Sequence, residues 1–512
     1  MGRYLCRRAF QFQQQRRWSM SARATPVRRP SRRATAAPAP APRRPVRQPT
    51  IIDAMNDPGS FGPFFDGESW DGWKTILKAA SGLPLNAAEL EFFHSIAGDR
   101  APPTARVREF WVAAGRRAGK DAMASGVAAL AAALFNQPHK LRPGERALVL
   151  CLACDRAQAK IILNYIKAFF TDIPSLANMV TGDMTAEGFS LNNKVDIAVG
   201  TNSFRAVRGR PLLLGILDEL AFWRDENSAK PDEELYRALS PALATLTPDS
   251  QIIGISSPYK KSGLLYKKFK DHYGKDGDVL FVKAATRQLN PTISREIVDR
   301  ALANDPAAAS AEWMGEFRDD IGSWLGLEVI EAAVDTGVTV RPHYPPFEYR
   351  AFCDPSGGRN DSFTCAIAHD DMGMAFLDCL VEIKPPFSPM SAISQIAAIL
   401  REYRLSEVTG DRYAAEFNVE MFASCGVRYR ASHRDRSLIY QDAGPLFTSG
   451  RARILDDRRL VSQFASLERK TTSMGRDKID HGVGGHDDLA NSAAGALVSV
   501  STTDKRPRLL FA

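Results

Sequence analysis

The stretch VREFWVAAGRRAGKD, residues 107–121, decides the fold of the first half of the chain. Its apolar beginning predicts a buried β-strand that ends near Gly115, and the Ala-rich sequence after Lys120 predicts a helix up to about residue 135. A glycine-bearing loop between a strand and a helix presents backbone N–H groups and the positive end of a helix dipole, which together bind phosphate. The stretch therefore predicts a phosphate-binding loop.

This loop departs from the pattern G-x-x-x-x-G-K-[ST] in two places. Ala114 stands in the position of the first glycine, and Asp121 stands where Ser or Thr is expected. Lys120 is expected to contact the β- and γ-phosphates, and Asp121 could still bind Mg²⁺ through its carboxylate. Taken alone, the loop is equally consistent with a basic turn at a helix start. The candidate nucleotide-binding residues here are Gly115, Arg116, Arg117, Gly119, Lys120 and Asp121.

Two later strands supply candidates for the same site. Residues 212–217 are apolar and end in Asp218 and Glu219; Asp218 would hold Mg²⁺, and Glu219 would polarise the attacking water. The apolar residues 252–255 are followed by Ser256 and Ser257, which could sense the γ-phosphate. An ordinary strand end and a Ser-Pro turn are the alternatives. A charge-stabilising arginine could come from Arg116, Arg117, Arg205, Arg208 or Arg210.

A second group of acidic residues follows in the last third of the chain. Asp354 ends the first of three closely spaced apolar segments, Asp411 ends a later one, and Asp487 and Asp488 begin the last helix. Carboxylates at neighbouring strand ends can share two Mg²⁺ or Mn²⁺ ions, which clamp the attacking and leaving oxygens of a phosphodiester. The alternatives are turn residues and helix caps. Asp361 and His486 are possible auxiliaries.

Composition excludes several classes of protein. The 512 residues are 44% hydrophobic and 25% charged, which is ordinary for a globular protein, and no run reaches the ~18 apolar residues of a membrane span. Thirteen arginines and no acidic residue precede Asp53, so the net charge of +8 belongs to this tail. The tail could be a transit peptide, a DNA-binding arm or upstream sequence from a mis-assigned start. The seven scattered cysteines argue against a disulfide framework and for a reducing compartment.

Together these motifs resemble the large subunit of tailed-phage terminases, which are DNA-packaging motors; gene-transfer-agent terminases look the same at this level. The resemblance covers roughly residues 60–510. It rests on the following segments: Gly115–Lys120, Arg208-Gly209, Leu213–Glu219, Ser256-Ser257-Pro258, Glu312–Phe317, Asp354–Gly358, Asp411, Ser437–Asp456 and His486–Leu489.

The resemblance implies an α/β fold class: a P-loop NTPase domain with a mostly parallel sheet, followed by a ribonuclease-H-like nuclease domain with a mixed sheet. We expect a disordered tail over 1–52, the ATPase domain over 53–320, a linker over 321–347 and the nuclease domain over 348–512. The expected catalytic residues are Lys120, Glu219, Asp354, Asp411 and Asp488. The expected metal ligands are Asp218, Asp354, Asp411, Asp487 and Asp488.

The resemblance also implies cofactors and partners. ATP and Mg²⁺ would serve the first site, and Mg²⁺ or Mn²⁺ the second. The partners would be double-stranded DNA, a portal protein, a small terminase subunit and further copies of the chain in a ring, with no membrane. Such a phage or prophage protein would work in the cytoplasm of the bacterial host, transiently on the procapsid.

Two other interpretations stay open from the sequence. One is a ribonuclease-H-like transposase or integrase, although such enzymes lack a phosphate loop paired with an Asp-Glu strand. The other is an inactive, prophage-derived protein that binds DNA or portal, with Asp121 as the sign of a lost ATPase. A basic stretch could touch DNA phosphates or form a solvated helix face. It comprises Lys260, Lys261, Lys267, Lys268 and Lys270.

Overall fold

The computed structural model describes residues 49–201, 209–359, 361–412, 415–471, 477–482 and 485–501. These residues belong to one compact unit that begins at Pro49. Arg205 and Arg208, two of the candidate arginines, lie outside the described residues. The first described helix, α1 (Ile51–Asn56), is capped by Thr50 and so begins inside the last residues of the expected tail.

Eight strands form the first sheet. Their order is β3-β4-β5-β2-β6-β7-β1-β8. They are β1 (Glu109–Ala114), β2 (Ala147–Ala153), β3 (Val180–Thr181), β4 (Gly188–Leu191), β5 (Val195–Thr201), β6 (Leu212–Asp218), β7 (Gln251–Ser256) and β8 (Val279–Ala284). The strands from β5 to β8 in this order are parallel, and β3 and β4 add an antiparallel edge.

Helices cover both faces of this sheet, as the almost fully buried central strands require. They are α2 (Asp71–Ala80), α3 (Ala87–Ala97), α4 (Lys120–Leu134), α5 (Arg156–Asp172), α6 (Pro174–Ala177), α7 (Pro231–Leu239), α8 (Gly263–His272), α9 (Thr286–Leu289), α10 (Arg295–Asn304) and α11 (Pro306–Met314). Two apolar clusters result. One contains Trp73 and Val112 on the α4 side, and the other contains Trp111 and Leu217 on the α7 and α8 side.

Seven strands form the second sheet, in the order β10-β16-β13-β12-β11-β14-β15. They are β10 (Val334–Asp335), β11 (Tyr349–Asp354), β12 (Phe363–Asp371), β13 (Met374–Ile383), β14 (Glu407–Gly410), β15 (Arg428–Ala431) and β16 (Ala452–Leu455). The three closely spaced apolar segments form the antiparallel meander β11 to β13, as their short connections predict, and β14 and β15 run parallel to β11 on its other side. Strand order 3-2-1-4-5 with helices after the third and fourth strands is the ribonuclease-H-like arrangement.

The remaining elements surround this second sheet. A small antiparallel sheet contains β9 (Ile321–Ser323), β17 (Leu467–Thr471) and β18 (Asp477–His481). The helices are α12 (Leu327–Ala332), α13 (Pro389–Glu402), α14 (Ala415–Ser424), α15 (Arg436–Thr448), α16 (Arg458–Ser466) and α17 (Asp488–Ser501). Small residues of α17 pack closely on the sheet, because a Cβ on Gly495 would lie 2.4 Å from the Phe352 ring.

The fold class expected from the sequence is confirmed: a P-loop sheet precedes a ribonuclease-H-like mixed sheet. One element was predicted wrongly. The amphipathic pattern of residues 460–470 predicts a single helix, whereas in the structure the helix ends at Ser466 and β17 follows it directly. None of the described helices combines the length and the apolarity that a membrane span requires.

Candidate functional site

The first candidate site lies at the carboxyl ends of three neighbouring strands. In the first sheet, β7 lies between β6 and β1 and pairs in parallel with both. The phosphate loop after β1, the Asp218–Glu219 pair at the end of β6 and Ser256 at the end of β7 therefore meet at one edge. Parallel α/β sheets bind their ligands at this edge.

Lys120 is the centre of this cluster and is only 5% exposed. Its Nζ donates hydrogen bonds to the carbonyl oxygens of Ala114 and Gly115, at 3.1 and 3.2 Å. It also donates to Ser257 Oγ at 3.1 Å and lies 3.5 Å from Glu219 Oε1. The ammonium group is thus held over the loop, where it could contact phosphate oxygens.

Glu219 is held between the phosphate loop and β7. Its Oε2 accepts hydrogen bonds from Ser256 Oγ at 3.1 Å and from the backbone N–H of Ser257 at 3.0 Å. Its backbone lies in the left-handed region, with φ 46° and ψ 40°. That conformation costs a non-glycine residue about 1–2 kcal/mol, and such strain is typical of functional positions.

Two further carboxylates crowd the same edge. Asp218 is 2% exposed. Its pKa is raised to about 8, mainly by burial and to a smaller extent by the negative charges of Asp121 and Glu219. Burial also raises the pKa of Asp121, against the lowering effect of Lys120. Asp218 Oδ1 is buried without a hydrogen-bond partner. A buried, unpartnered carboxylate oxygen beside a second carboxylate fits Mg²⁺, which prefers oxygen ligands.

Several residues that the sequence did not indicate hold the phosphate loop in shape. Trp73 Nε1 donates a hydrogen bond to Ala118 O at 2.6 Å. Thr286 Oγ1 donates to Arg116 O at 2.8 Å, and Asn290 Nδ2 donates to Arg117 O at 2.9 Å. These partners lie 45 to 173 residues from the loop in sequence, so no local pattern could reveal them.

Replacing Trp73 by Phe should weaken both the fold and the nucleotide site. Phenylalanine keeps an aromatic ring at this buried position but is smaller than the indole, and the buried Ala118 carbonyl loses its donor. The unsatisfied carbonyl alone costs about 1–3 kcal/mol of the free energy of unfolding. Urea unfolding and titration with a fluorescent ATP analogue would measure the two effects. Trp70→Phe is the matched control, and equal losses in both variants would contradict a role for the hydrogen bond.

The candidate charge-stabilising arginines differ in whether their side chains are free to approach a bound nucleotide. Arg116 and Arg117 are exposed at the rim of the loop, and Arg116 Nη1 lies 3.5 Å from Glu312 Oε1. Arg210 pairs with Asp196. The basic stretch is also not uniformly free: Lys268 is 8% exposed, and its Nζ lies 2.6 Å from Glu109 Oε2. Lys268 therefore belongs to a buried structural ion pair with Glu109, and its ammonium group is not available to contact DNA.

The second candidate site lies where β11 and β14 end side by side. The register pairs Cys353 with Gly410, which brings Asp354 and Asp411 to the same edge of the second sheet. Asp354 is 7% exposed, and its Oδ2 accepts a hydrogen bond from Asn491 Nδ2 at 2.8 Å. Asn491 is on α17, whose first residue is Asp488. All the carboxylates of the expected metal centre therefore belong to one region.

The neighbouring residues Asp487 and Asp488 have different surroundings. Asp487 is 1% exposed; its Oδ1 accepts from Arg436 Nη1 and its Oδ2 from Tyr440 OH, both at 2.8 Å. Asp488 is partly exposed and fixed through its backbone, since Thr364 Oγ1 donates to its carbonyl oxygen at 2.6 Å. The Asp488 carboxylate accepts a hydrogen bond from the backbone of Ser362. Because it is more exposed than Asp487 and is not paired with an arginine, Asp488 is the better candidate for a metal ligand.

The acidic side chains of this region repel one another when they are ionised, which contributes to the raised pKa values of Asp354 and Asp488. Burial, together with the charges of Asp488 and Asp487, raises the pKa of Asp354 to about 7, against the lowering effects of Arg436 and Asn491. Burial and the charges of Asp487 and Asp361 raise the pKa of Asp488 to about 6. Crowded, buried oxygen donors of this kind fit a hard divalent cation.

The carboxylates are not assembled into a finished coordination shell. Within the described part of the chain, no three side chains of His, Cys, Asp or Glu are grouped closely enough to hold a metal ion. Asp411 Oδ1 accepts from the N–H of Arg412 at 2.6 Å, and His486 Nδ1 lies 3.7 Å from Asp361 Oδ1. The expected ligands are thus neighbours, and metal binding would require their side chains to converge.

The structure also reveals a buried ionic cluster that joins the segments after the first site to the small antiparallel sheet. Glu468 on β17 has no exposed surface, and its Oε2 accepts a hydrogen bond from Tyr259 OH at 2.7 Å. Its Oε1 lies 3.3 Å from Lys260 Nζ and 3.4 Å from Arg224 Nη2. Arg224 follows the Asp218–Glu219 pair and Tyr259 follows the β7 serines. A cavity of about 540 Å³ beside this cluster is also lined by His486.

Replacing Glu468 by Ala should destabilise the protein strongly. Removing one partner from a buried ionic cluster leaves an uncompensated charge, here on Lys260, and costs about 3–5 kcal/mol. Chemical unfolding would measure the loss. Glu331→Ala, an exposed glutamate on α12, is the control. A difference below about 1 kcal/mol, the scale of a surface ion pair, would contradict this account of the cluster.

Fold and sites together define the class of this protein: a P-loop NTPase domain joined in one chain to a ribonuclease-H-like domain with a carboxylate cluster. A family model described as "Uncharacterized protein MJ0330, N-terminal P-loop domain" matches residues 88–314. No curated protein matches the chain in sequence.

Solved structures of phage large terminases resemble the chain. The bacteriophage HK97 large terminase is 16% identical, with 84% of this chain and 99% of that chain covered and a TM-score of 0.37. The large terminase of a thermophilic bacteriophage in complex with ADP is 13% identical, with coverages of 84% and 98% and a TM-score of 0.36. The large terminase nuclease of a second thermophilic phage, with bound magnesium, is 16% identical, with coverages of 34% and 96% and a TM-score of 0.30. These structures are of the family that the sequence motifs resemble.

Proposed function

We propose that this chain is the large subunit of a terminase, an ATP-driven motor that moves double-stranded DNA into a procapsid and cuts it with a metal-dependent nuclease. The observation that carries the proposal is the pairing of two sites in one chain. A lysine, glutamate and serine cluster lies at the carboxyl edge of a P-loop sheet, and a carboxylate cluster lies on a ribonuclease-H-like sheet.

At the first site, each residue has a role in ATP hydrolysis that follows from its contacts. Lys120 would bind the β- and γ-phosphates, and Asp218 with Asp121 would hold Mg²⁺, which neutralises phosphate charge when it is bound. Glu219 would accept the proton of the attacking water. Ser256 and Ser257 contact Glu219 directly, so a change at the γ-phosphate would reach β7 through these hydrogen bonds.

Asp121 allows a separate test of the Mg²⁺ assignment. Asp121→Ser restores the hydroxyl of the usual phosphate loop, whereas Asp121→Ala removes every oxygen ligand at this position. We expect the serine variant to hydrolyse ATP and the alanine variant to lose at least about tenfold in apparent Mg²⁺ affinity, as loss of a partner in a metal site does. Steady-state ATPase titrations with Mg²⁺ would measure this. Full activity in Asp121→Ala would remove Asp121 from the site.

At the second site, the proposed ligands are Asp354, Asp411 and Asp488. The metal ions, when bound, would activate water and stabilise the leaving oxygen of a phosphodiester. We assign Asp487 a different role from the one first expected, since Arg436 and Tyr440 take up both of its carboxylate oxygens. Asp487 would fix the start of α17 and thereby orient Asp488.

The partners follow from this function. Duplex DNA would be bound through its phosphate backbone, because a motor must pass over any sequence; binding would therefore weaken with salt. A portal protein, a small terminase subunit and other copies of the chain in a ring would complete the motor in the cytoplasm of a bacterial host. The alternatives are separated by ATP hydrolysis with duplex DNA. A transposase would show no ATPase activity, and an inactive scaffold would show neither ATPase nor nuclease activity.

A further inference from the structure

Arg436 lies in the middle of the second site, although no sequence motif indicated it. It is the first residue of α15, and its side chain is 33% exposed. Nη1 donates to Asp487 Oδ1 at 2.8 Å, and Nη2 lies 3.9 Å from Asp354 Oδ2. Burial works to lower the pKa of Arg436, but the charges of Asp487 and Asp354 outweigh it and raise that pKa. A permanent positive charge is therefore part of this acidic cluster.

The contact between Arg436 and Asp487 is reinforced from the same helix. Tyr440 lies one turn further along α15, and its hydroxyl donates to the other oxygen of Asp487. Arg436 and Tyr440, at positions i and i+4, lie on the same face of the helix and each donate a hydrogen bond to one oxygen of the Asp487 carboxylate. These two hydrogen bonds fix the positions of both the Asp487 carboxylate and the Arg436 guanidinium.

We propose that Arg436 is an internal counter-ion of the metal centre, a positioning residue that fixes Asp487 and weakens divalent-cation binding by Asp354, Asp411 and Asp488. This inference rests on the proposed nuclease function. The guanidinium offsets the charge repulsion of the carboxylates when no cation is bound, and it repels a cation that approaches Asp354. The site would consequently take up its metal less tightly than its carboxylates alone would allow.

The sign of the effect separates this role from a merely structural one. If Arg436 only supported the fold, its loss would loosen the site and weaken metal binding. As a counter-ion, its replacement by a neutral side chain should tighten Mn²⁺ binding about fivefold, the effect of removing a partly exposed charge some 4 Å away. Arg436→Lys retains a positive charge and should keep the wild-type affinity.

The experiment is a calorimetric titration of the full chain with Mn²⁺ alone, at a pH well above the pKa of Asp354. Arg436 lowers that pKa, so at a lower pH its loss would also protonate the Asp354 carboxylate. Arg436→Gln is compared with wild type, with Arg436→Lys and with Arg434→Gln, a control in which an arginine two residues away loses its 2.7 Å pairing with Asp442. Asp354→Asn identifies the binding that belongs to this site. Melting temperatures check folding, and Arg436→Met, which keeps the apolar stem of the side chain, replaces Arg436→Gln if that variant does not fold.

The expected result is tighter binding in the neutral variants and unchanged binding in Arg436→Lys and Arg434→Gln. Equal or weaker Mn²⁺ binding in Arg436→Gln, while Asp354→Asn loses this binding, would overturn the counter-ion role and leave the nuclease proposal standing. Identical titrations of wild type and Asp354→Asn would instead overturn the metal centre itself, and the inference with it.

Discussion

Replacing Glu219 by Gln is expected to lower ATP turnover by about 10²- to 10⁴-fold, the contribution of a positioned general base. The amide keeps the shape of the side chain and can still accept hydrogen bonds from Ser256 and Ser257, so ATP should still bind. Metal-dependent DNA cutting should stay at the wild-type level, because the carboxylates of the second site belong to another sheet. Steady-state ATP hydrolysis, ATP-analogue binding and plasmid nicking measure the three quantities.

The control for this prediction is Glu187→Gln, since Glu187 is an exposed glutamate of the same domain far from the phosphate loop in sequence. It should match wild type in all three assays. Turnover of Glu219→Gln within a factor of a few of wild type would show that another group accepts the proton. Asp121, whose carboxylate acts on Asp218, would then be the next candidate.

Replacing Asp354 by Asn should produce the opposite pattern. Asp354 is the most buried of the proposed ligands with free capacity, and the amide cannot supply the charge that a divalent cation requires. We expect DNA cutting to fall by at least about a hundredfold, since even the loss of an outer partner in a metal site costs about 10- to 100-fold. ATP hydrolysis should be retained. Nicking of supercoiled plasmid in Mn²⁺ measures the first effect.

Asp371→Asn is the matched control, because Asp371 is also a strand-end carboxylate of the second sheet. The antiparallel register of β11 and β12 places it at the opposite edge from Asp354, beyond the pairing of Tyr349 with His369. It should cut DNA as wild type does. An Asp354→Asn variant that still nicks plasmid would remove Asp354 from the metal centre.

The sequence predicted the elements whose signals are local. Continuous apolar runs predicted β1, β6 and β7, and the glycines and Lys120 marked the loop after β1. The close spacing of three apolar segments predicted the meander β11 to β13. Each of these strands, and the loop after β1, lies within a window of about ten residues, where periodicity and turn chemistry decide the structure.

The elements that the sequence did not reveal depend on distant partners. β17 continues the amphipathic pattern of α16, and its strand conformation comes from pairing with β9 and β18. β8 completes the first sheet beside β1, although its apolar residues 279–282 were a signal that could have found it. The roles of Trp73, Arg436 and Glu468 arise only when chain segments far apart in sequence meet.

The candidate sites were predictable to a similar extent. Strand-end carboxylates and serines could be picked out because function concentrates at the carboxyl ends of parallel strands. The division of labour between Asp487 and Asp488 could not be, because it depends on the partners of each side chain. Arg436 and Tyr440 reach Asp487 from a helix that begins about fifty residues earlier.

The central claim is that one chain contains two independent phosphoryl-transfer centres. The most direct measurement assays ATP hydrolysis with duplex DNA and Mn²⁺-dependent nicking side by side on wild type, Glu219→Gln and Asp354→Asn. The account predicts that wild type has both activities and that each variant loses a different one. Loss of both activities in either folded variant, or a wild-type chain that hydrolyses no ATP, would contradict it.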